Sequence, residues 1–479
     1  MKVNKTYAAI FAACLLLAVM VPAVAAADYP HNAQFMGYYE RNAISTTSKE
    51  ANAGGYTYVN TAATTRRVTP LATPSSTDWP QFFYNAAHTG YSPSTGLPSS
   101  NSSVWSKNFT AIGTTNPIVS NGKIFLLTGY AGFDEPDSLT TINLTCLNAS
   151  NPSQILWNFT LPRTIHWGSW ASPATDGTYV YASSDNKHYA INVTTGQAAW
   201  SFTGFSYIAN GGPSTSDTMV FLSDSGDYAG STNGTYYGLF KNNGTLRWTF
   251  NYTNANPAFK YSQASPAYDS SDNSVYVTGY DSNYDQGYLY KLNATTGSEI
   301  WYNESNSGEI FGGSASVDST KVYVTSYNFD GGNGNVYAYY KNNGTLAWSQ
   351  PIEPSDATPS IANGIVYVSG GTAGFTQHGV YAFNASTGSV VWHLDGADGT
   401  NPNDIGGWTD SPSVANGYVF VGHETDNSSY PDYCYNAIYA LNATTGATVW
   451  YYPQGGATAA IANSQVYTIG NNGYLYRFG

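Results

Sequence analysis

Ala440-Leu441-Asn442-Ala443-Thr444-Thr445-Gly446-Ala447-Thr448-Val449-Trp450 decides the fold, because its outline returns along most of the 479-residue chain. Close copies end at Trp200 (AINVTTGQAAW), Trp301 (KLNATTGSEIW) and Trp392 (AFNASTGSVVW), and looser ones at Trp248 (LFKNNGTLRW) and Trp348 (YYKNNGTLAW). In all six the glycine stands four residues before the tryptophan. A seventh stretch, CLNASNPSQILW ending at Trp157, keeps the asparagine and the tryptophan but replaces the glycine. Self-similarity at a period of a few tens of residues means one structural unit repeated.

Upstream of the quoted stretch, Ser411 to Gly422 shows the front half of the unit: two short β-rich runs around Asn416-Gly417. Asn-Gly supplies the positive φ that a two-residue hairpin turn needs. Asn121-Gly122, Asp176-Gly177 and Asn363-Gly364 repeat the signal. A third run follows, such as Ala437 to Leu441, and the Asn-to-Gly turn leads into a fourth that carries the tryptophan. The unit therefore reads as a four-stranded antiparallel meander. Pro117, Pro173, Pro213, Pro266, Pro359 and Pro412 sit near the opening of the first strand. Proline cannot donate to a ladder, so it belongs at a strand's first residue or on an edge. An innermost strand facing a central channel has such an edge.

Front halves counted from Asn116, Ser172, Gly212, Ser265, Ser314, Thr358, Ser411 and Ala457 make eight units. The eighth ends at Tyr474 to Gly479 without a fourth strand, while Val104-Trp105-Ser106-Lys107-Asn108-Phe109 is a strand without a unit. The expected fold is all-β: an eight-bladed β-propeller of four-stranded antiparallel blades, its last blade closed by the N-terminal strand. Closure limits the exposed edges that a sheet protein must manage.

The Ala-x-Asn-x-x-Thr-Gly-x-x-x-Trp units resemble the tryptophan-docking repeats of the pyrroloquinoline-quinone-like eight-bladed propellers, a family of quinoprotein-type and BamB-like proteins. Asp78 to Asn85, followed by His88-Thr89-Gly90-Tyr91-Ser92, is similar to that family's opening sequence. The resemblance covers about residues 78–479. It implies that Trp105, Trp157, Trp200, Trp248, Trp301, Trp348, Trp392 and Trp450 wedge between blades. For activity it implies less, since one propeller hosts many functions. Quinoprotein dehydrogenases of this family usually show an adjacent cysteine pair at the quinone and an aspartate base beside a calcium held by Glu and Asn. The chain has no adjacent cysteine pair and no Cys-x-x-Cys-His for haem, and Asp410 is the nearest candidate base. No Gly-x-Ser-x-Gly elbow or His-Glu-x-x-His helix is present either. No cofactor is expected, and pyrroloquinoline quinone with calcium belongs to an alternative, quinoprotein-like reading.

Residues 1–27 read as a signal peptide: Lys2 and Lys5, an apolar run through Leu15 to Val21, then Ala25-Ala26-Ala27 before Asp28. No later stretch is apolar enough to cross a bilayer, so attachment to a membrane is peripheral at most. Residues 28–77 lack the repeat and are rich in Thr, Ala, Ser and Asn, as expected of a flexible leader. A net charge of −13 argues against nucleic-acid binding, which needs a basic footprint. Cys14 leaves with the signal; Cys146 and Cys434 fall in different units and are expected to stay unpaired.

Asn-x-Ser/Thr acceptors are dense, and Asn192, Asn243, Asn293, Asn343, Asn384 and Asn442 fall in the turn between third and fourth strands. Asparagine also serves such a turn through its own side-chain hydrogen bonds, so both readings stand. Just ahead of first strands lie Trp167 and Trp170, Tyr261 and Gln263, Phe311, and Trp408 and Asp410. Aromatic faces beside Asp and Gln at a channel mouth suit a sugar or a planar ligand; the same residues also suit a plug packed on itself. Asp281, Asn283 and Asp285 alternate as in a calcium loop, although the glycine comes one place late and Leu292 stands where the closing Glu would be.

The function expected is a secreted or cell-surface propeller, leaning towards no enzymatic activity, that binds or scaffolds envelope or matrix proteins or glycans as a glycoprotein. The alternatives are a quinoprotein-like dehydrogenase with an atypical site and a BamB-like partner in envelope protein assembly.

Overall fold

The computed structural model describes residues 73–479 except 103, 110–115, 129–140, 163–170, 185, 208, 227–231, 329–331, 373–375, 397–404, 425–434 and 471. The expected signal peptide, most of the expected leader, Trp167, Trp170 and Cys434 lie outside the described residues.

The described chain is all-β and forms eight sheets that make eight propeller blades. Blades 1 to 7 span Ile118–Pro162, Ala174–Phe202, Ser214–Asn251, Ala267–Glu304, Ser316–Ile352, Ser360–Asp395 and Ser413–Tyr452. Each is a meander whose strands pair antiparallel in chain order from the channel outward. The first hairpins turn where the sequence asks for positive φ: Asn121, Asn363 and Asn416 have φ of 49°, 52° and 50°, each followed by a left-handed glycine.

Blade 8 takes three strands from Ala460–Phe478 and its outer strand from Val104–Asn108. Val104 lies opposite Phe478, Ser106 opposite Tyr476 and Asn108 opposite Tyr474. The ring is thus closed by chain segments some 370 positions apart in sequence, the separation from Val104 to Phe478 being 374.

The blades are joined by one device repeated at six stations. The indole Nε1 of Trp157, Trp200, Trp248, Trp301, Trp348 and Trp392 donates to the carbonyl of Val193, Lys241, Ala294, Lys341, Ala385 and Ala443, each in the next blade, at 2.9 to 3.2 Å. The acceptor residue's own N–H reaches back to the first hairpin of its blade, as from Ala294 to Asn273 O at 2.9 Å and from Ala443 to Gly417 O at 2.8 Å. Under each indole lies the glycine of that turn: Gly196, Gly244, Gly297, Gly344, Gly388 and Gly446, with φ of 66° to 75°. A Cβ there would come within 2.4 to 3.0 Å of the ring. The glycine that the repeat places four residues before a tryptophan therefore serves the tryptophan of the preceding blade.

The joints on either side of blade 8 differ. Trp450 has no turn to dock on and donates instead to Pro98 O at 2.9 Å. Trp105 is half-buried with the Arg477 guanidinium 5.7 Å from its ring, and Arg477 supplies the hydrogen bond to Ala149 O (3.2 Å) that an indole makes elsewhere.

The stretch from Thr77 to Ser92 is built into the channel. Its carbonyls accept from N–H groups on or beside the innermost strands: Thr77 from Asn463, Trp79 from Val119, Pro80 from Thr175, Ala86 from Tyr268, Ala87 from Val317, Thr89 from Ile361 and Gly90 from Val414. Tyr91–Ser92 then adds a parallel fifth strand to blade 7. The inner edge that the prolines mark is therefore satisfied at its hairpin end by this segment, as buried backbone donors require.

Candidate functional site

At the other end of the channel the strand-opening segments surround a cavity of about 110 Å³. Its lining follows a register. Three residues before the strand-opening proline, or before Ala315 in blade 5, stand Asn210, Gln263, Gly312, Asp356 and Thr409, and all five line the cavity. One residue before it stands a hydroxyl in most blades. Those hydroxyls link the blades: Asn116 N–H donates to Ser172 Oγ (3.0 Å), Gly212 N–H to Ser265 Oγ (2.8 Å), Ser265 N–H to Ser314 Oγ (2.9 Å), Thr358 N–H to Ser411 Oγ (2.9 Å) and Ser411 N–H to Thr458 Oγ1 (3.0 Å). Phe82, from the segment that fills the channel, completes the lining with Tyr435. The Thr409 and Tyr435 hydroxyls touch each other.

Asp356 is the charged residue of this lining. Its Oδ2 accepts from Gln263 Nε2 at 3.3 Å, while Oδ1 has no hydrogen-bond partner among the described residues. Burial pushes its carboxyl up to about 7. Gly312 makes the pairing with Gln263 feasible, because a Cβ there would lie 2.4 Å from Asp356 Oδ1 and 2.8 Å from Gln263 Nε2. The cavity walls carry neither lysine nor arginine among the described residues.

The residues singled out in the sequence divide. Gln263 lines the cavity. Tyr261 is buried and stacked on Tyr284 (5.3 Å between centroids), Phe311 packs edge-on to Tyr337 (5.4 Å) and Trp408 edge-on to Tyr327 (5.0 Å). None of these three rings is among the residues that line the cavity. Tyr261 and Phe311 meet rings of the blade they open, where large apolar faces lose more area to water than on a rim, whereas Trp408, which opens blade 7, reaches Tyr327 of blade 5, and its carbonyl accepts from Asp356 N–H at 2.9 Å. Asp410 likewise points inward: its Oδ2 accepts from Gly422 N–H, and burial, with Glu424 nearby, raises its carboxyl well above the usual range. Trp170 occupies the same register position as Gln263 and Asp356 but lies, with Trp167, outside the described residues.

At the calcium-like hairpin, Asp281 Oδ1 accepts from the N–H groups of Asp285 (3.1 Å) and Gln286 (3.2 Å), so this oxygen serves the turn. No group of three or more His, Cys, Asp or Glu able to hold a metal occurs among the described residues. Cys146 is buried and unpaired, its thiol pushed up to about 12 by burial; such a thiol is unreactive.

The sequence reading missed Asp356. Its signal was available as an acid at a register position that holds Asn, Gln, Gly or Thr in the other described blades.

Comparison with known proteins agrees with this architecture. The chain is 26% identical over 343 residues to a tetrathionate hydrolase from Acidithiobacillus ferrooxidans, a match covering 64% of this chain and 62% of that protein's length. Among solved structures, BamB from Moraxella catarrhalis superposes with a TM-score of 0.53 at 15% identity, covering 79% of this chain and 98% of that one. Quinohemoprotein alcohol dehydrogenase from Comamonas testosteroni superposes with a TM-score of 0.62 at 13% identity, covering 86% and 82%. At such identities these structures speak for the fold alone. The family model described as outer membrane protein assembly factor BamB matches residues 143–283 and 285–478, and with most of its length so matched the chain belongs to this family of pyrroloquinoline-quinone-like propellers.

Proposed function

We propose that this protein is an exported, non-catalytic binding propeller of the cell envelope or extracellular matrix, and that it receives its ligand at the channel mouth. The observation that carries this reading is the unpaired Oδ1 of Asp356 in a cavity without a basic side chain among its described walls. Such an oxygen is costly to bury unless a donor meets it. Beside it stand the amides of Asn116, Asn210 and Gln263, a ring of hydroxyls and the Phe82 ring. Carboxylate, amides and one aromatic face suit the hydroxyl groups of a sugar, so an envelope or matrix glycan is the ligand class favoured.

The same chemistry speaks against pyrroloquinoline quinone at this mouth. That cofactor carries three carboxylates, and a site for it needs cations; the described walls offer none and add Asp356. The residues present do not fit it.

The test is a glycan array probed with purified wild-type protein and with Asp356→Ala. Binding that the variant loses is expected. Retained binding, turnover of tetrathionate, or dye reduction with alcohols after adding pyrroloquinoline quinone and calcium would each overturn the reading. A protein that stays in the cytoplasm would overturn its exported part.

A further inference from the structure

The turns that dock the tryptophans carry a chemistry the docking does not use. In blades 2, 4, 6 and 7 the turn asparagine accepts through Oδ1 from the N–H groups two and three residues on: Asn192 from Thr194 and Thr195 (both 3.0 Å), Asn293 from Thr295 and Thr296 (both 3.0 Å), Asn384 from Ser386 (2.9 Å) and Thr387 (3.1 Å), Asn442 from Thr444 (2.9 Å) and Thr445 (3.0 Å). In blades 3 and 5, Asn243 and Asn343 accept from the N–H groups of Thr245 and Thr345. The turn therefore needs one acceptor oxygen and nothing else from this side chain.

Aspartate provides the same oxygen equally well, and the first hairpins show it. Asp176 Oδ1 accepts from Thr178 and Tyr179 (2.9 and 2.8 Å), and Asp318 Oδ1 from Thr320 and Lys321 (2.6 and 2.7 Å). Yet all six docking turns carry asparagine, and all six carry Ser or Thr two residues on. The Nδ2 of these asparagines makes no hydrogen bond among the described residues. Neither do the hydroxyls of Thr194, Thr245, Ser386 and Thr444. Asn243 and Asn343 are exposed, and the other four half-buried. An amide that the turn does not need and a Ser or Thr two residues on thus recur together at every station, in the pairing that asparagine-linked glycosylation uses; among the described residues the hydroxyl is engaged only at Thr295, which accepts from Asn273 Nδ2, and at Thr345, which donates to Asn343 Oδ1.

We infer that Asn192, Asn243, Asn293, Asn343, Asn384 and Asn442 are N-glycosylated, which places these six sugars on the hairpin side of the disc, away from the channel mouth. The inference rests on the export proposed above. In the reaction Nδ2 forms a bond to the anomeric carbon of an oligosaccharide. The bond from that carbon to the phosphate of a lipid-linked sugar donor breaks, the lipid phosphate leaves, and the Nδ2 proton passes to a base of the host's transferase. Asn303, also followed by a serine two residues on, supplies a contrast, because its Nδ2 is buried.

The experiment is site-resolved peptide mass measurement on protein recovered from its own host, with cell fractions taken in parallel. Sugar masses are expected on the six turn asparagines and not on Asn303. The sugar at residue 293 should vanish in both Asn293→Asp and Thr295→Val, while Asn293→Asp keeps the wild-type melting temperature because Oδ1 remains. Bare peptides from all six turns in protein found outside the cytoplasm would overturn the inference and leave export standing. Bare peptides in protein confined to the cytoplasm would overturn both. A sugar retained in Thr295→Val would also contradict it, since the linkage would not depend on the sequon.

Discussion

The hairpin side and the mouth side of the disc are built from the same eight repeats, yet they behave oppositely. On the hairpin side six stations repeat one arrangement: indole on glycine, indole N–H on carbonyl, that residue's N–H on the neighbouring turn. At the mouth one register position holds Asn, Gln, Gly, Asp and Thr in five blades, and a carboxyl oxygen of that Asp has no partner among the described residues. A repeat that is uniform at its joints and varied where it faces an opening agrees with the binding role proposed for the mouth. Strained or unpaired groups are tolerated where function needs them.

The sharpest way to break this comparison is to remove an indole. Trp348→Ala should cost about 3–5 kcal/mol, as for other large buried aromatics, with a comparable loss for Trp248→Ala, measured from denaturant midpoints. Trp105→Ala, where the ring is half-buried beside Arg477, should cost only about 1–2 kcal/mol, because less area leaves the interior. Equal losses at all three would erase the distinction between regular joints and the closing one.

At the mouth the expected sign reverses. The folded protein holds the Asp356 proton up to about pH 7, whereas an unfolded chain releases it near about 3.9. The folded state therefore binds more protons in that interval, and stability falls as pH rises through it. Asp356→Asn should match wild type near pH 4 and be more stable at and above neutrality, by about 1 kcal/mol given that the carboxyl reaches water through the cavity. Thermal melts across pH would show it; a variant less stable at pH 8 would contradict it.

The smallest effect belongs to the substitute bond at the closing joint. Arg477→Gln loses the guanidinium over Trp105 and its bond to Ala149 O, for about 0.5–1.5 kcal/mol. No change in the denaturant midpoint would mean that this joint is held by strand pairing alone.

How much of this was legible in the sequence follows the same division. Period, strand order, hairpin turns and ring closure could be read because glycine, proline and asparagine mark backbone conformations directly. The role of the turn glycines could not, since a residue four places before one tryptophan contacts the tryptophan of another blade. Nor could the path of Thr77 to Ser92, whose contacts are backbone carbonyls that no side-chain pattern announces. At the mouth, conspicuous aromatics drew attention to Tyr261, Phe311 and Trp408, which pack against other rings and do not line the cavity. Asp356 stood in an otherwise plain Ser-Asp-Ala-Thr-Pro segment.

The most direct test of the closed ring is a cysteine pair across the closing strands, in a background lacking Cys146 and Cys434. Asn108 faces Tyr474 in the antiparallel register, which brings paired residues within disulfide reach. Asn108→Cys with Tyr474→Cys should oxidise to a faster-migrating species on a non-reducing gel, while Asn108→Cys with Phe478→Cys should not. Efficient bridging of the second pair, or of neither, would contradict a ring fastened by Val104–Asn108.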